Sequence, residues 1–237
     1  MNSLTIRDLC LSYGTLKVLD GLDMDIPSGS ITAVIGPSGC GKTSLLNILA
    51  GLNRQSKGTV QGLGSRPCSY CFQEPRLLPW MSARDNILFA LSRFPDRKES
   101  EARADEALRR TGLLQFADKS PTLFSGGMRR RLSLARAFAY PSDVLLLDEA
   151  FSSVDLKQRI ELLDLFQELW SREPRTAILV THEVQDALYV ADQVVVLSER
   201  PARVLECVEV KNPREERKYG SQGLLSLEER LYSLILS

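Results

Sequence analysis

The sequence predicts an α/β fold in which a mainly parallel sheet is covered by helices on both faces. Short apolar runs recur along the chain, and helical patterns separate most of them. These runs are apolar almost without interruption, which is typical of parallel strands buried on both faces. From about Trp80 to Phe138 the chain contains no clear strand. We therefore expect a helical lobe inserted into the sheet-forming part of the chain.

The elements can be assigned in chain order from their apolar spacing. Strands are expected at "SITAVIG", "DVLLLDE", "TAILVTH" and "QVVVLSE", and a first helix at "TSLLNILAGL". A longer helix, "LKQRIELLDLFQELW", has apolar residues at steps of three and four, namely Leu156, Ile160, Leu163, Phe166 and Trp170. The segment "DRKESEARADEALRRTGLLQFA" reads as a charged helix of the lobe. After "QVVVLSERPARV" we expect a solvated loop, "KNPREERKYGSQG", and a closing amphipathic helix, "SLEERLYSLIL".

Composition and charge exclude several classes of protein. Of the 237 residues, 43% are hydrophobic and 25% charged, as in ordinary globular proteins. Lys and Arg together number 30, as do Asp and Glu, so the net charge near zero argues against nucleic acid as a partner. No apolar run approaches the roughly 18 residues of a membrane span, and the amino terminus lacks the pattern of a secretory signal. The five cysteines are odd in number and widely spaced, which fits reduced thiols, so we expect the protein to lie inside the cell.

The first motif is a phosphate-binding loop. "GPSGCGKT" fits G-x-x-x-x-G-K-[ST], follows the strand "SITAVI" and opens the helix "TSLLNILAGL". Glycines let the backbone wrap a phosphate, Lys42 can reach the β- and γ-phosphates, and the Thr43 hydroxyl can bind Mg²⁺. The candidate nucleotide-binding residues here are Gly36, Pro37, Ser38, Gly39, Cys40, Gly41, Lys42, Thr43 and Ser44, and Lys42 is also a catalytic candidate.

The second motif is an acidic pair that ends the apolar strand "DVLLLDE". Asp148 is a candidate magnesium ligand, and Glu149 is a candidate general base that could take a proton from an attacking water. With the phosphate-binding loop, this pair predicts a P-loop nucleoside triphosphatase that uses Mg²⁺. No N-K-x-D motif for guanine recognition is present, which disfavours GTP as the substrate.

The third motif is a second glycine-rich turn before a helix, "FSGGM". Ser125, Gly126 and Gly127 could hold a phosphate through a hydroxyl and backbone N–H groups. A second phosphate-binding turn is redundant within one chain. It becomes useful if two chains pair head to tail, each giving this turn to the nucleotide of the other.

These motifs resemble those of the nucleotide-binding subunit of ATP-binding-cassette (ABC) transporters, and the resemblance covers nearly the whole chain. It implies one ATPase domain, residues 1–237, that binds ATP and Mg²⁺. A RecA-like core would span 1–72 and 139–237, with antiparallel strands at its amino terminus. The Q-loop and helical lobe would span 73–138. The signature "FSGGM" departs from the family pattern, since Phe124 replaces the usual Leu and Met128 the usual Gln.

Four further residues acquire roles through the same resemblance. Tyr13 would stack on adenine, Gln73 would contact Mg²⁺ and water as the Q-loop glutamine, and Asp155 matches the D-loop, here "SSVD" rather than "SALD". His182 is the only histidine in the chain and, taken alone, reads as an ordinary polar residue at a strand end. The resemblance makes it the switch histidine that contacts the γ-phosphate.

The segment "FQEPRLLPWMSARDNI" is similar to importers for nitrate, sulfonates and taurine. That subfamily implies a homodimer in the ATP-bound state, integral membrane permease subunits and, indirectly, an extracytoplasmic solute-binding protein. The chain would then lie at the cytoplasmic face of the membrane. Four residues, Leu77, Leu78, Pro79 and Trp80, would either receive a helix of the permease or pack inside the lobe. An export or lipoprotein-extraction system remains an alternative, as does a soluble ABC protein that acts on DNA or ribosomes.

Overall fold

A computed structural model describes residues 3–64 and 66–236, except for the side chain of Gln222. Within these residues the strands are β1 (Leu4–Tyr13), β2 (Leu16–Ile26), β3 (Ile31–Ile35), β4 (Lys57–Gln61), β5 (Ser69–Cys71), β6 (Val144–Asp148), β7 (Thr176–Val180), β8 (Gln193–Leu197) and β9 (Val204–Glu209). The α-helices are α1 (Lys42–Leu49), α2 (Ala83–Ala90), α3 (Arg97–Arg110), α4 (Gly126–Ala139), α5 (Leu156–Arg172), α6 (Val184–Val190) and α7 (Leu225–Leu236).

The described residues form two compact units. The first is built from the described parts of Met1–Cys68, Asp143–Glu149 and Pro174–Ser237, and the second from Ser69–Ser142 and Ala150–Glu173. The first unit contains β1–β4, β6–β9, α1, α6 and α7, and the second contains β5 and α2–α5. That both units work as one ATPase domain stays a prediction.

The main sheet of the first unit confirms the predicted α/β fold. Its strands lie in the order β6-β7-β3-β8-β9, and the first four are parallel. Every residue of β3, β6 and β7 is buried, which explains why these strands read as unbroken apolar runs. Val180 pairs with both Asp148 and Val34, so these three strands end at one edge. The residues that follow them meet at that edge.

A second sheet and three helices complete the first unit. The sheet β2-β1-β4 is antiparallel, as predicted for the amino-terminal strands, with pairs such as Leu9 with Leu22. Helix α1 packs against β6 and β7, α6 against β3, and α7 against β8. Apolar residues of these elements, including Leu45, Leu46 and Leu231, are fully buried between sheet and helix.

The second unit is mainly helical. Helix α4 packs against α2, α3 and α5 around a core that includes Ile87, Leu108, Phe124 and Leu132. The charged helix predicted in this region forms as α3, which the Asp96 carboxylate caps by accepting from the N–H of Glu99. It ends at Arg110, earlier than the apolar spacing suggested.

Two expectations for individual segments were wrong, and one strand was not predicted. The unpredicted strand is Val204–Glu209, which forms β9 at the edge of the sheet, antiparallel to β8. Arg217, expected in a solvated loop, is 6% exposed because backbone carbonyls surround its guanidinium. Leu156, predicted on the apolar face of α5, is 58% exposed because it lies in the first turn, ahead of the buried residues from Leu162 onwards.

Among the described residues, no helix combines the length and apolar character needed to cross a membrane.

Candidate active site

The predicted phosphate-binding loop connects β3 to α1. A Cβ at Gly41 would lie 2.8 Å from Leu19 Cδ2, and one at Gly36 would lie 2.8 Å from the Leu197 carbonyl oxygen, so both positions require glycine. Gly41 caps α1 and brings no side-chain acceptor to the N–H groups of the first helical turn. N–H groups at a helix start are suited to donate to an anion.

Lys42 holds its charge at the centre of this loop. The residue is 5% exposed, and its ammonium group donates to the carbonyl oxygens of Gly36 at 2.8 Å and Pro37 at 2.9 Å. A buried lysine needs such acceptors because its charge is removed from water. The loop therefore carries a fixed positive charge beside its backbone N–H groups.

An arginine that sequence analysis missed also contacts the loop. Arg200, in the turn between β8 and β9, donates from Nη2 to the Gly39 carbonyl oxygen at 2.7 Å. Arg200 lies in the segment "SERPARV", to which no site residue was assigned from the sequence. This contact fixes the outer side of the loop and adds a second positive charge beside it.

Two oxygen ligands suited to a magnesium ion lie side by side. The Thr43 hydroxyl, at the start of α1, donates to Asp148 Oδ1 at 3.0 Å. Asp148 ends β6 and is 4% exposed. A hydroxyl and a carboxylate are hard oxygen donors of the kind Mg²⁺ prefers, so these residues fit the ion. Ser44 follows directly in α1.

Glu149 and His182 lie together at the ends of neighbouring strands. His182 Nδ1 is 3.3 Å from Glu149 Oε1, and the side chains are 49% and 21% exposed. The backbone of Glu149 has φ +44°, a left-handed conformation that costs a non-glycine residue about 1–3 kcal/mol. Its N–H donates to the Val180 carbonyl oxygen at 2.9 Å, which holds this conformation in place. The imidazole can therefore orient the carboxylate.

Tyr13, the predicted adenine-stacking residue, ends β1 with its side chain 51% exposed. The Asn53 amide donates to its hydroxyl at 2.7 Å. Together with the phosphate-binding loop, Asp148, Glu149 and His182, it belongs to the first unit. The first unit thus contains two pairs of predicted site residues in contact. Thr43 contacts Asp148, and His182 contacts Glu149.

The signature turn lies in the second unit at the start of α4. Ser125 caps the helix by accepting from the N–H of Met128 at 3.2 Å, and Ser125 and Gly126 are exposed. Phe124 is 4% exposed and packs edge-on against Phe116, and Met128 packs partly against the same core. The two departures from the family pattern therefore face inward, while the Ser-Gly-Gly turn faces solvent.

The D-loop residue Asp155 contacts the signature turn through a residue that sequence analysis did not single out. Asp155 caps α5 by accepting from the N–H of Gln158 at 3.0 Å, and the Gln158 amide donates to its second oxygen at 2.5 Å. A Cβ at Gly127 would lie 2.9 Å from Gln158 Oε1. Gln158 thus places the D-loop and the signature turn next to each other, and a side chain at position 127 would require the end of the Gln158 side chain to move.

Gln73, the predicted Q-loop glutamine, is exposed, but its backbone is held by α4. Arg130 is 8% exposed and donates to the carbonyl oxygens of Gln73 at 3.1 Å and Ala150 at 2.9 Å. Farther along α4, Arg136 donates to the Pro75 carbonyl oxygen at 2.6 Å. Burial lowers the pKa of both guanidiniums. These two arginines were not predicted as contacts of the Q-loop, although "MRRRLSLAR" places them on a helix that is otherwise mostly buried.

Replacing Arg130 with alanine should destabilise the protein by about 2–3 kcal/mol, because the carbonyls of Gln73 and Ala150 would lose a charged donor that is itself buried. Urea unfolding measures this change. Arg131→Ala is the matched control, since Arg131 forms an ion pair with Glu161 at 3.4 Å at the surface, which is worth less than about 1 kcal/mol. Equal losses of stability in the two variants would contradict the role given to Arg130.

The segment Leu77–Trp80 was expected either to pack inside the lobe or to receive a helix of a permease, and its residues differ in this respect. Leu77 packs partly against the lobe core, and the buried Asn86 side chain accepts from the N–H of Leu78 at 2.7 Å. Trp80, in contrast, is 76% exposed. The inner residues therefore anchor the segment, and Trp80 remains available at the surface for a partner.

Comparison with known proteins identifies the class: the chain belongs to the ABC transporter family, whose model matches residues 19–152. It is 42% identical over 221 residues to the aliphatic sulfonates import ATP-binding protein SsuB of Mycobacterium sp. (strain MCS), covering 93% of this chain and 89% of that protein. It is 38% identical over 240 residues to aliphatic sulfonates import ATP-binding protein SsuB 1 of Rhizobium johnstonii, covering 99% and 86%. A bacterial ABC transporter cassette solved as a dimer has the same fold, with a TM-score of 0.77 and 23% identity over 89% of this chain and all of that one.

Proposed function

We propose that this chain is the ATP-hydrolysing subunit of an ABC importer for a small sulfonate. The observation that carries the proposal is the row of contacts at the sheet edge, in which Thr43 meets Asp148 and His182 meets Glu149. These are the groups needed for magnesium-dependent phosphoryl transfer to water. The sulfonate follows from the names of relatives that are 42% and 38% identical over most of the chain.

Nucleotide binding would use the loop between β3 and α1. The Lys42 ammonium would exchange its carbonyl acceptors for oxygens of the β- and γ-phosphates, and the N–H groups of the first turn of α1 would donate to the same phosphates. Thr43 and Asp148 would hold Mg²⁺, directly or through water. When bound, Mg²⁺ neutralises charge on the β- and γ-phosphates. Tyr13 would stack on adenine.

Hydrolysis would use Glu149 as the general base. The carboxylate takes a proton from water while the water oxygen bonds to the γ-phosphorus, and the bond to the bridging oxygen breaks to release ADP and phosphate. His182 holds Glu149 in place and can donate to a γ-phosphate oxygen. Gln73 would orient the water and contact Mg²⁺.

A second copy of the chain would complete the site. The exposed Ser125 hydroxyl and the N–H groups of Gly126 and Gly127 suit the γ-phosphate of a nucleotide bound to the partner, and Asp155 lies beside them through Gln158. Hydrolysis removes the group that both copies contact, so closure is favoured only with ATP. Opening and closing would drive permease subunits at the cytoplasmic face of the membrane, and an extracytoplasmic solute-binding protein would deliver the sulfonate.

Replacing His182 with alanine should lower kcat for ATP hydrolysis about tenfold while changing ATP affinity less than about twofold. The reason is that the imidazole contacts Glu149, whereas the phosphate-binding loop holds the nucleotide. Steady-state hydrolysis and equilibrium binding of ATP separate the two effects. If this variant hydrolysed ATP at the wild-type rate, His182 would have no role in hydrolysis and would be an ordinary polar residue at a strand end.

Uptake of a radiolabelled alkanesulfonate by intact cells tests the proposed function. Deleting the gene should abolish uptake, the wild-type gene should restore it, and a gene encoding Glu149→Gln should not. Normal uptake after deletion, with no other importer for the compound in the strain, would reject the sulfonate. Restoration by Glu149→Gln would reject ATP hydrolysis by this chain as the source of energy.

A further inference from the structure

The helix that follows His182 depends on other parts of the chain for its position. Helix α6 has seven residues, begins at Val184, and lacks a side-chain cap at Glu183. A helix this short is unstable on its own, so its place is set by the groups packed around it. Any group that fixes α6 also fixes the peptide that carries His182.

Arg217 holds the carboxyl end of α6. The residue is 6% exposed, and its guanidinium donates to the carbonyl oxygens of Leu188 at 3.1 Å and Ala191 at 2.6 Å. It also donates to the carbonyl oxygens of Asn212 at 2.8 Å and Val210 at 3.1 Å. The last carbonyls of a helix lack partners within it, and a cation is favoured there. Arg217 therefore joins the end of α6 to the chain that leaves β9.

Tyr219 holds the middle of the same helix. Its hydroxyl donates to Asp186 Oδ1 at 2.8 Å, and Asp186 is 1% exposed. Its ring lies edge-on to the ring of Tyr189, with centroids 5.7 Å apart. A hydrogen bond to a buried carboxylate is costly to lose. The single hydroxyl group of Tyr219 therefore contributes substantially to holding α6 in place.

Helix α7 reaches the amino-terminal end of α6. The Gln185 amide donates to Glu228 Oε1 of α7 at 3.0 Å, and Leu231, also on α7, is fully buried. Burial raises the pKa of Tyr232, with smaller contributions from the carboxylates of Glu228 and Glu183. Glu183, the residue just before α6, has its Oε1 3.7 Å from His182 Nε2. The carboxyl-terminal segment follows α6 from end to end.

We propose that residues Arg217–Leu236, here named the C-terminal latch, hold α6 so that His182 stays against Glu149. Arg217, Tyr219 and Glu228 are positioning residues for ATP hydrolysis that act through α6. The inference rests on the proposed function, because it assigns a role in hydrolysis. Loosening the latch lets α6 shift, lengthens the contact between His182 and Glu149, and lowers turnover without altering the loop that binds ATP.

Tyr219→Phe tests the latch, because it removes one hydroxyl and keeps the ring packing. We expect kcat for ATP hydrolysis to fall about tenfold, with the KM and Kd for ATP changed less than about twofold. Tyr219→Phe and Asp186→Ala combined should lower kcat no further than Asp186→Ala alone, since both changes remove the same hydrogen bond. An unchanged kcat in Tyr219→Phe, or an equal change in ATP affinity, would overturn the proposal.

Glu228 and Glu229 give a matched pair. Glu228→Ala removes the acceptor of Gln185 and should lower kcat about threefold or more, whereas Glu229, exposed on α7, should tolerate alanine with unchanged kcat. Equal effects would mean that the charge of α7, rather than its contact with α6, matters. That outcome would reject the latch.

Hydrogen–deuterium exchange separates failure of the latch from failure of the proposed function. Without nucleotide, Tyr219→Phe should speed exchange in residues 184–191 at least fivefold and leave α1 unchanged. Unchanged exchange in 184–191 would overturn the latch even if the wild-type protein hydrolyses ATP. A wild-type protein without ATPase activity would reject the proposed function. Faster exchange in residues 184–191 would then still show that the latch holds α6, but the role of the latch in hydrolysis would be rejected.

Discussion

Replacing Glu149 with glutamine should lower kcat for ATP hydrolysis by about 10²–10⁴-fold while preserving ATP binding. Glutamine has the size of the carboxylate and can adopt the same backbone conformation at φ +44°, but it cannot take a proton from water. The phosphate-binding loop, which carries Lys42 and Thr43, is left intact. ATP should therefore accumulate in the site.

Two measurements check this variant. Phosphate release gives kcat, and light scattering during size-exclusion chromatography gives the mass with and without Mg-ATP. Glu149→Gln should elute as a dimer with Mg-ATP and as a monomer without it. Glu209→Gln on the exposed edge strand β9 is the control and should hydrolyse ATP like the wild type. Rapid hydrolysis by Glu149→Gln would show that Glu149 is not the base, and a monomer at saturating Mg-ATP would contradict the dimer.

Replacing Lys42 with alanine should weaken ATP binding about 10- to 100-fold, since charged hydrogen bonds to phosphate would be lost. The ammonium is already placed over the loop by the carbonyls of Gly36 and Pro37, so little ordering of the side chain opposes its contact with phosphate. Titration calorimetry with ATP measures the affinity.

Lys211→Ala is the control for this prediction, because it removes the same charge from an exposed position after β9. It should bind ATP as the wild type does. An unchanged affinity in Lys42→Ala would remove Lys42 from the role assigned to it. An equal loss in both variants would point to the net charge of the protein as the cause.

The parts of the fold predicted from sequence are those with local signals. Strands β3, β6 and β7 are buried throughout, so each appears as an apolar run, and the glycine spacing of residues 36–41 is fixed by contacts that exclude a Cβ. Strand β9 was missed because it alternates exposed and buried residues at an edge, with charged residues among them. A short alternating pattern of that composition also fits a loop.

The missed residues act through contacts that are distant in the sequence. Arg217 and Arg130 stand in charged runs typical of solvent-facing segments, yet each is surrounded by backbone carbonyls. The inner part of the Leu77–Trp80 segment is held by the side chain of Asn86 on α2, which accepts from the N–H of Leu78. Which residues of a charged or apolar run turn inward depends on the assembled fold, and the sequence pattern alone did not show it.

The most direct test of the central claim, that this chain powers a membrane transporter, is a tagged pull-down from detergent-solubilised native membranes with quantification of what co-purifies. We expect a polytopic membrane protein at equal stoichiometry, with less recovered by Trp80→Ala and normal recovery by Leu205→Ala, which also removes an exposed apolar side chain. Recovery of soluble partners without a polytopic protein would contradict the account and favour an ABC protein that works outside transport.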